Sequence, residues 1–475
     1  MAKKAFVVTG LGYGDEGKGT TTHWLSSRYK AHTVIRTGGP QALHRVVYEN
    51  GKEHAFSQFG SGTFRGAATH LSKHMVIDPH AILKEGEVLA YERGIRGVFE
   101  WLTIHEDALV ITPFQAIACR LRELMRGENR HGSVGIGVGE TVLDAEVPGD
   151  GAIRAKDLDK PYLREKLQAI QRRKLAEFEE LADRASLIPA DMRERVRSEI
   201  AELTDPDTVQ WAVERFTELA KRVRIVDTDY VARQILGPEG TVIFEGSQGV
   251  LLDRWHGFHP YTTKVRTVPE IALSLLDECG YDGEVKSFGV LRAYHTRHGA
   301  GPFVSESPAL TKKLPDLMNK THPWQGDFRI GHFDAVAARY AIEASGKESI
   351  DGLIVTCLDR IWPLGRWQVC NTYGTPREVR DAESFFRLDA GSISGITAAY
   401  GNGGGAEQLE RQERLGQLLG WCFPEFAVFG ISPWDAKENF IDLCASVLEE
   451  NLGVPIVAVS IGATEEEKIE IKNGQ

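Results

Sequence analysis

Short, nearly continuous runs of apolar and β-branched residues recur along the chain, and longer stretches with helical spacing separate them. Runs of this length without polar alternation are typical of strands that are buried on both faces of a mainly parallel sheet. The predicted strands are Ala5–Thr9, Thr33–Arg36, Ala108–Thr112, Thr241–Glu245, Glu284–Leu291, Leu353–Leu358 and Pro455–Val459.

Helical periodicity is clearest at 333–343, where the apolar residues fall on one stripe of the predicted helix. These residues are Phe333, Val336, Ala337, Tyr340 and Ala341. The alternation of such helices with buried strands predicts an α/β fold, in which helices flank a central, mainly parallel twisted sheet.

Residues 162–222 differ from the rest of the chain, because they are rich in Glu, Arg, Lys and Leu and carry no strand pattern. Pro189 and Pro206 break the segment. We predict a helical insertion on the outside of the sheet with one solvated face and a structural role. With 475 residues, 42% of them apolar, the chain can bury a large core, and we predict one domain over 1–475.

Composition narrows the class of protein further. The formal net charge of −11 argues against a nucleic-acid-binding surface, and no apolar run approaches the roughly 20 residues of a membrane span. The N-terminus enters the first predicted strand at once, which leaves no room for a signal peptide. The six cysteines are scattered without metal-binding spacing, as expected for reduced thiols. We therefore predict a cytoplasmic protein without nucleic-acid or membrane partners.

Candidate chemistry begins directly after the first predicted strand, in the glycine-rich loop that ends at Lys18. Such a loop before a helix, here expected from about Thr20, is typical of a phosphate site made by backbone N–H groups. The spacing from Gly12 to Gly17-Lys18 is almost that of a P-loop, but Gly19 stands where a serine or threonine binds magnesium. Asp15 could supply the missing ligand or act as a base.

The loop Gly14–Gly19 resembles the opening signature of adenylosuccinate synthetases, and further motifs follow in that family's order. They are Gly38–His44, Val76–Pro79, Phe244–Asp253, His259–Thr263, Ala293–Phe303, Thr356–Asp359 and Gly453–Gly462. The resemblance covers nearly the whole chain apart from 162–222, and it implies an adenylosuccinate-synthetase-like, P-loop-related fold.

The resemblance also implies a reaction. A nucleoside triphosphate, with GTP favoured, phosphorylates the 6-oxygen of a purine, and an amine then displaces the phosphate. The reference reaction converts IMP, aspartate and GTP to adenylosuccinate with Mg²⁺ in a homodimer. Such chemistry needs a base for the purine N–H, a cation on the γ-phosphate and a group that neutralises the transferring charge.

Matching positions imply a role for each site residue. Asp15 matches the general base and magnesium ligand, and the backbone carbonyl of Leu43 a second ligand. Lys18 matches the phosphate lysine, His44 the acid at the transferring phosphoryl group, and Gln248 a contact to the purine. The implied donor-binding residues are Gly14, Glu16, Gly17, Lys18, Gly19, Thr20, Asp359, Ser460 and Gly462. The implied acceptor-binding residues are Gln41, Ser133, Gln248, Thr263, Arg297 and Arg329.

Departures from the family pattern cluster on the acceptor side. Of an arginine-rich loop that holds the substrate aspartate, only Arg329 remains. The run 138–150 is acidic where the family has a basic residue that reaches across the dimer to the 5′-phosphate. Cys357 replaces a lysine that packs on guanine, and Ser460–Thr464 lacks the family's proline and arginine, so ATP rivals GTP as donor.

Three functions therefore remain open on the sequence. The first is a purine C–N ligase with the reference reaction. The second is a family member with a changed substrate: a modified purine, a nucleoside, an amine other than aspartate, or ATP. The third is a regulator that binds a triphosphate without turnover, which the intact Asp15, Lys18, His44 and Gln248 argue against.

Overall fold

The computed structural model describes residues 2–48, 51–147, 149, 151–183, 190–316, 318–319, 321–376, 379, 383–398, 404–432 and 437–471. Within these ranges the strands are β1 Lys3–Gly10, β2 Thr33–Gly38, β3 His44–Tyr48, β4 Lys52–Phe56, β5 Ala68–Ile77, β6 Leu102–His105, β7 Leu109–Val110, β8 Ile153–Arg154, β9 Arg224–Val226, β10 Gly240–Glu245, β11 Glu284–Arg292, β12 His295–His298, β13 Phe328–Gly331, β14 Phe333–Asp334, β15 Gly352–Thr356, β16 Arg366–Gly374, β17 Phe386–Asp389, β18 Ser392–Ile396, β19 Phe423–Gly430, β20 Ile456–Ser460 and β21 Lys468–Glu470.

The α-helices within the same ranges are α1 Lys18–Tyr29, α2 Pro79–Glu87, α3 Pro113–Arg126, α4 Val138–Ala145, α5 Leu163–Asp183, α6 Ala190–Thr204, α7 Pro206–Arg222, α8 Thr228–Tyr230, α9 Glu270–Glu278, α10 Pro308–Lys313, α11 Ala335–Ala344, α12 Leu358–Ile361, α13 Ala406–Leu419 and α14 Lys437–Leu452. None of the helices that the structure describes is both long and apolar enough to cross a membrane.

The main sheet has the strand order β21-β20-β15-β11-β1-β10-β2-β5-β6-β9. Neighbouring strands in this order are parallel except for the edge pair β20–β21, and beside β5 the sheet also includes the short antiparallel pair β7–β8. Its central strands are almost fully buried, as their continuous apolar runs predict. The predicted fold class, a mainly parallel sheet flanked by helices, is confirmed.

Two predicted elements are shifted, and side-chain capping explains both shifts. The run at 108–112 forms only the two-residue strand β7, because Thr112 begins the next helix in a capping box with Gln115. The helix predicted at 333–343 starts at Ala335, because the Asp334 carboxylate accepts a hydrogen bond from the Ala337 N–H at 3.0 Å.

The charged segment 162–222 is helical, as predicted, and contains α5, α6 and α7. Pro206 lies at the first position of α7 behind the Asp205 cap, whereas Pro189 lies outside the described residues. Apolar side chains of these helices, among them Leu167 and Phe216, pack into the same core as α3. The segment therefore contributes to the core as well as to the solvated surface.

An ion-pair cluster joins α5 to the acidic helix α4. The Lys174 ammonium lies 2.8 Å from Asp144, 3.0 Å from Glu140 and 3.4 Å from Glu177, and its side chain is only 2% exposed. Arg122 contributes a further bond to Glu140 at 2.7 Å. The acidic run of α4 is thus neutralised by neighbouring helices.

Substitution of Lys174 by Met is expected to destabilise the protein by about 1–3 kcal/mol, because two buried carboxylates lose their shared cation while each keeps one arginine, Arg122 or Arg173. A drop in the thermal unfolding midpoint measures the effect. Lys156 makes a comparable but exposed pair with Asp107, so Lys156→Met serves as the control and is expected to cost less than about 1 kcal/mol. Equal midpoints for the two variants would show that the cluster does not hold α5 on α4.

Candidate active site

Most of the predicted site residues lie at one edge of the main sheet. The carboxyl ends of parallel strands meet at the same edge, where open α/β sheets bind ligands. The glycine-rich loop follows β1, the glutamine loop follows β10, and the loop to His44 follows β2. Two candidates for binding the base of the donor triphosphate lie at the same edge: Asp359 follows β15, and Ser460 is the last residue of β20. The topology therefore brings together segments that are hundreds of residues apart in sequence.

The glycine-rich loop is organised around the Glu16 carboxylate, which is buried inside it. One carboxylate oxygen accepts hydrogen bonds from the Gly12 N–H at 3.0 Å and the Gly14 N–H at 2.7 Å. The other oxygen lies 2.7 Å from the Lys18 ammonium. Glu16 thus shapes the loop and compensates the lysine charge, and an incoming phosphate has to compete for Lys18.

Asp15 adopts a left-handed backbone conformation with φ of 60°, which is uncommon outside glycine and marks a constrained loop position. Its carboxylate lies 2.9 Å from His298 Nε2, and its carbonyl oxygen accepts a hydrogen bond from Arg292. Burial raises the pKa of Asp15, but the hydrogen bond from His298 and the charges of His298, Arg292 and Lys18 outweigh it and lower the pKa to about 2. Asp15 is therefore ionised at neutral pH.

His44 is buried and held by one ring nitrogen. Its Nδ1 lies 2.7 Å from Glu245 Oε1, whereas its Nε2 has no hydrogen-bond partner among the described residues. Burial lowers the pKa of His44 to about 4 despite the opposing charge of Glu245. Because the acceptor is a carboxylate, we assign the proton to Nδ1, which leaves an unprotonated Nε2 for a ligand.

Glu245 is itself ionised. Burial raises its pKa, but Arg36, His44 and the hydrogen bond from Ser61 outweigh this and lower the pKa to about 2. The Ser61 N–H donates to the second carboxylate oxygen at 3.0 Å, and Arg36 lies 3.6 Å away. The group that orients His44 is thus a fixed anion.

Gly19, the apparent P-loop defect, faces His44. A Cβ atom at position 19 would lie 2.8 Å from the His44 Cβ and 3.1 Å from its carbonyl carbon. Any side chain there would displace His44 from the start of α1. Glycine at this position is therefore a packing requirement of this site.

Gln248 combines backbone strain with an unpaired side chain. Its φ is 46°, and both amide atoms are buried without a hydrogen-bond partner among the described residues. Its loop packs on the glycine-rich loop, because a Cβ at Gly10 would lie 2.7 Å from the Gln248 carbonyl oxygen. A buried amide without partners is costly, so the arrangement is prepared for a polar ligand.

Gln41, Ser133 and Thr263 line one cavity of about 410 Å³. The Gln41 amide donates to the Thr263 hydroxyl at 3.3 Å, and its carbonyl oxygen has no described partner. His298, which binds Asp15, lines the same cavity. A volume of this size suits a mononucleotide-sized ligand next to the catalytic candidates.

The two predicted acceptor arginines are occupied within the protein. Arg297 donates to the backbone carbonyls of Ala300, Pro302 and Tyr261. Arg329 pairs with Glu306 at 2.6 Å and donates to a backbone carbonyl at 3.0 Å. Both guanidinium groups therefore hold loops of the site in this state.

The opposite end of the site contains a lysine that sequence reasoning missed. Lys468 is buried, its ammonium donates to the Ser460 hydroxyl at 2.6 Å, and no described carboxylate pairs with it. Burial lowers the pKa of Lys468 to about 8, and Cys357 opposes this shift electrostatically. Gly462 is required beside Glu467, because a Cβ there would lie 2.0 Å from the Glu467 carboxyl carbon.

A model of the family described as adenylosuccinate synthetase matches residues 7–469. The chain belongs to the adenylosuccinate synthetase family. The resemblance of its motifs to that family is thereby confirmed, and the chain is a ligase that forms C–N bonds on a purine.

Similar proteins span almost the same length. The adenylosuccinate synthetase of Limosilactobacillus reuteri is 27% identical over 98% of this chain and 98% of its own. That of Saccharopolyspora erythraea is 33% identical over 79% of this chain and 82% of its own. The fully ligated adenylosuccinate synthetase of Plasmodium falciparum has a similar fold, with a TM-score of 0.70 at 19% identity over 98% of this chain and 99% of that one.

A second solved structure with the same type of fold is the cyanophage S-2L succinoaminodeoxyadenylate synthetase, bound to dGMP and to dATP as an energy donor. Its TM-score is 0.56 at 17% identity, over 99% of this chain and 96% of that one. At this identity the likeness concerns the fold.

Magnesium fits the adenylosuccinate-synthetase-like site only together with a nucleotide. Among the described residues, no group of three or more His, Cys, Asp or Glu side chains could hold a metal ion. Magnesium commonly binds through one or two carboxylates plus substrate phosphates, and the ionised, 28% exposed Asp15 carboxylate suits that role. Leu43, whose carbonyl is the other implied ligand, is 61% exposed and precedes His44.

Sequence reasoning missed several residues of the site in this family member. Arg36 and Glu245 are charged residues in strands whose other residues are mainly apolar. A charged residue in a buried strand usually has a partner, so this pattern could have identified both as candidates. His298 and Arg292 lie in or beside a motif that was recognised, but their contacts to Asp15 were not foreseen. Ser61 and Lys468 carry no local signal.

Proposed function

We propose that this ligase uses a nucleoside triphosphate, with GTP favoured, to phosphorylate the 6-oxygen of a purine nucleotide, which an amine then displaces. The observation that supports this best is the ionised Asp15 carboxylate, which lies in the phosphate loop that ends at Lys18 and is held by His298. The reference substrates are IMP and aspartate. Asp15 accepts the purine N1 proton, Lys18 binds the γ-phosphate, and His44 bonds the transferring group.

In this proposal, the strength of Asp15 as a base depends on whether the triphosphate donor is bound. In the free protein the low pKa makes Asp15 a weak base. Lys18 and Arg292 contribute to that low pKa, and a triphosphate placed beside them would offset their charge. The pKa of Asp15 then rises, so proton abstraction is favoured once the donor is in place.

Mg²⁺ is the proposed cofactor, held by Asp15 and the Leu43 carbonyl. When bound, it neutralises charge on the phosphates.

Guanine is the base that fits the donor end best. The Asp359 carboxylate can accept the two adjacent N–H groups of guanine, while Lys468 or Ser460 donates to its 6-oxygen. Adenine has an unprotonated ring nitrogen, N1, where guanine has an N–H donor. An acceptor would then face the Asp359 carboxylate, and one hydrogen bond would be lost. Burial raises the pKa of Asp359, and neutral Asp359 would weaken this discrimination.

A changed amine or acceptor is the second candidate, and the occupied arginines favour it. Arg297 and Arg329 already bind backbone carbonyls and Glu306, so a dicarboxylate amine would have to displace those contacts. Each charge-assisted hydrogen bond lost typically costs about 1.5–3 kcal/mol. An amine with less negative charge meets no such cost.

An assay of phosphate release separates these possibilities. GTP, ATP or dATP is combined with Mg²⁺, with IMP, GMP or dGMP, and with aspartate or another amino acid, and products are identified by mass. We expect acceptor-dependent phosphate release, faster with GTP than with ATP, and one new C–N bond per phosphate. Release that is independent of every acceptor would contradict the proposal.

Three organisational features belong to the same proposal. We propose a homodimer, as the family resemblance implies, one domain over 1–475, and a cytoplasmic location. Sedimentation of the purified chain tests the first of these.

A further inference from the structure

One lysine in the 410 Å³ cavity has no hydrogen-bond or ion-pair partner among the described residues. Lys264 lines this cavity, and no described hydrogen-bond acceptor or carboxylate binds its ammonium group. Its stem packs on the first turn of α4, because a Cβ at Gly139 would lie 3.2 Å from Lys264 Cγ. Burial and the positive charges of Arg254 and Arg126 lower its pKa, and the charge of Glu146 opposes this shift. Because Glu146 is itself bound to Arg254, the Lys264 ammonium lies at the cavity wall without a carboxylate of its own among the described residues.

The acids in the cavity lining are engaged elsewhere. Glu123 pairs with Arg126 at 2.5 Å and accepts a hydrogen bond from the Gly132 N–H at 3.1 Å. Glu140 binds Lys174 and Arg122. Neither carboxylate of the described lining is thus left to neutralise Lys264.

Further donors surround the lysine. His131 and His259 line the same cavity, and burial together with neighbouring cations lowers the pKa of each to about 4. At neutral pH each is an uncharged ring that can donate one N–H. Gly137 precedes α4 as its N-cap with φ of 94° and gives no side-chain cap, so no cap side chain covers the first N–H groups of the helix.

We propose that Lys264 binds the phosphate of the purine nucleotide acceptor, at a subsite formed by Lys264, His131, His259 and the start of α4 within one chain. The inference rests on the proposed function and specifies its acceptor as a nucleoside monophosphate.

The position of the subsite supports a phosphate over the carboxylate of an amine. Gln41 and His298 line the cavity, and His298 binds Asp15, where the purine reacts. Thr263 bonds Gln41 and directly precedes Lys264, so the chain leads from the reacting region to the cation. A mononucleotide places its phosphate away from its base, as this arrangement requires.

Lys264→Met removes the charge and keeps the length of the side chain, and Lys264→Arg restores the charge. Binding of IMP, GMP and dGMP, and of the matching nucleosides, is measured by calorimetry without donor. We expect Lys264→Met to weaken monophosphate binding by about 10- to 100-fold, to leave nucleoside binding unchanged, and to be largely rescued by arginine. Lys286→Met, which removes an exposed surface lysine, is the control.

Turnover with the best acceptor then gives a second readout. Lys264→Met should raise the KM for the monophosphate and leave the KM for the amine and kcat unchanged. A raised KM for the amine alone would assign the lysine to a carboxylate and overturn the proposal, as would unchanged monophosphate binding. If the wild-type chain binds monophosphates through Lys264 but never turns over, the proposed function fails while this subsite stands.

Discussion

Asp15→Asn is expected to lower kcat by about 10²- to 10⁴-fold, because the amide cannot accept the purine N1 proton. The substitution keeps the shape of the side chain and its contact region with His298. Binding of the triphosphate measured without Mg²⁺ should not weaken, since Lys18 and the loop N–H groups remain, whereas binding with Mg²⁺ loses the ligand at position 15. Steady-state turnover and calorimetric binding of a non-hydrolysable triphosphate measure the two effects separately.

Asp282→Asn is the matched control for Asp15, because Asp282 is an exposed aspartate paired with Lys3. It should leave kcat within about twofold. Equal activity of Asp15→Asn and the wild type would remove Asp15 from the chemistry. Loss of triphosphate binding together with activity would assign it to the metal and donor alone.

His44→Gln is expected to lower kcat by about 10²- to 10³-fold, because a preorganised group at the transferring phosphoryl is lost. The protonation state of His44 should also change when the triphosphate binds. In the free protein the pKa of His44 is about 4, so Nε2 is unprotonated at neutral pH. A bound triphosphate raises the pKa of a nearby histidine, so donor binding should take up a proton.

The sign of this linkage can be measured. A group whose pKa is higher in the complex makes binding tighter at low pH, and the gain is lost as pH rises through the pKa of the complex. Calorimetry near pH 6 in buffers of different ionisation enthalpy should show proton uptake in the wild type and less in His44→Gln. His32 lies before β2, at the sheet edge opposite the site, so His32→Gln should behave as the wild type. Equal uptake in His44→Gln would contradict the assignment.

The sequence predicted those parts of the fold that local pattern encodes. Strands β1, β2, β10, β11, β15 and β20 follow continuous apolar runs and were placed to within a few residues. Strand β5 was missed because Thr69, His70 and Ser72 interrupt its apolar pattern, although all three are buried. Buried polar residues that are satisfied by tertiary contacts give no strand signal in sequence.

Site residues that belong to a local motif could be predicted from the sequence. Contacts between residues far apart in the chain could not. The loop around Asp15 and Lys18 could be read directly, whereas the Glu245 contact that fixes His44 spans 201 residues. The acidic run of α4 suggested repulsion of a phosphate, but Lys174 from a distant helix neutralises it. The sequence shows the sign of each charged side chain, but only the fold shows which opposite charge lies next to it.

The central claim is that the 6-oxygen of the purine leaves as phosphate. It is tested most directly by turnover of an acceptor labelled with ¹⁸O at that oxygen, with GTP, Mg²⁺ and the amine. Mass analysis of the released phosphate should find one ¹⁸O for each C–N bond formed, and Asp15→Asn should release little labelled phosphate. Formation of the product with unlabelled phosphate would contradict the account.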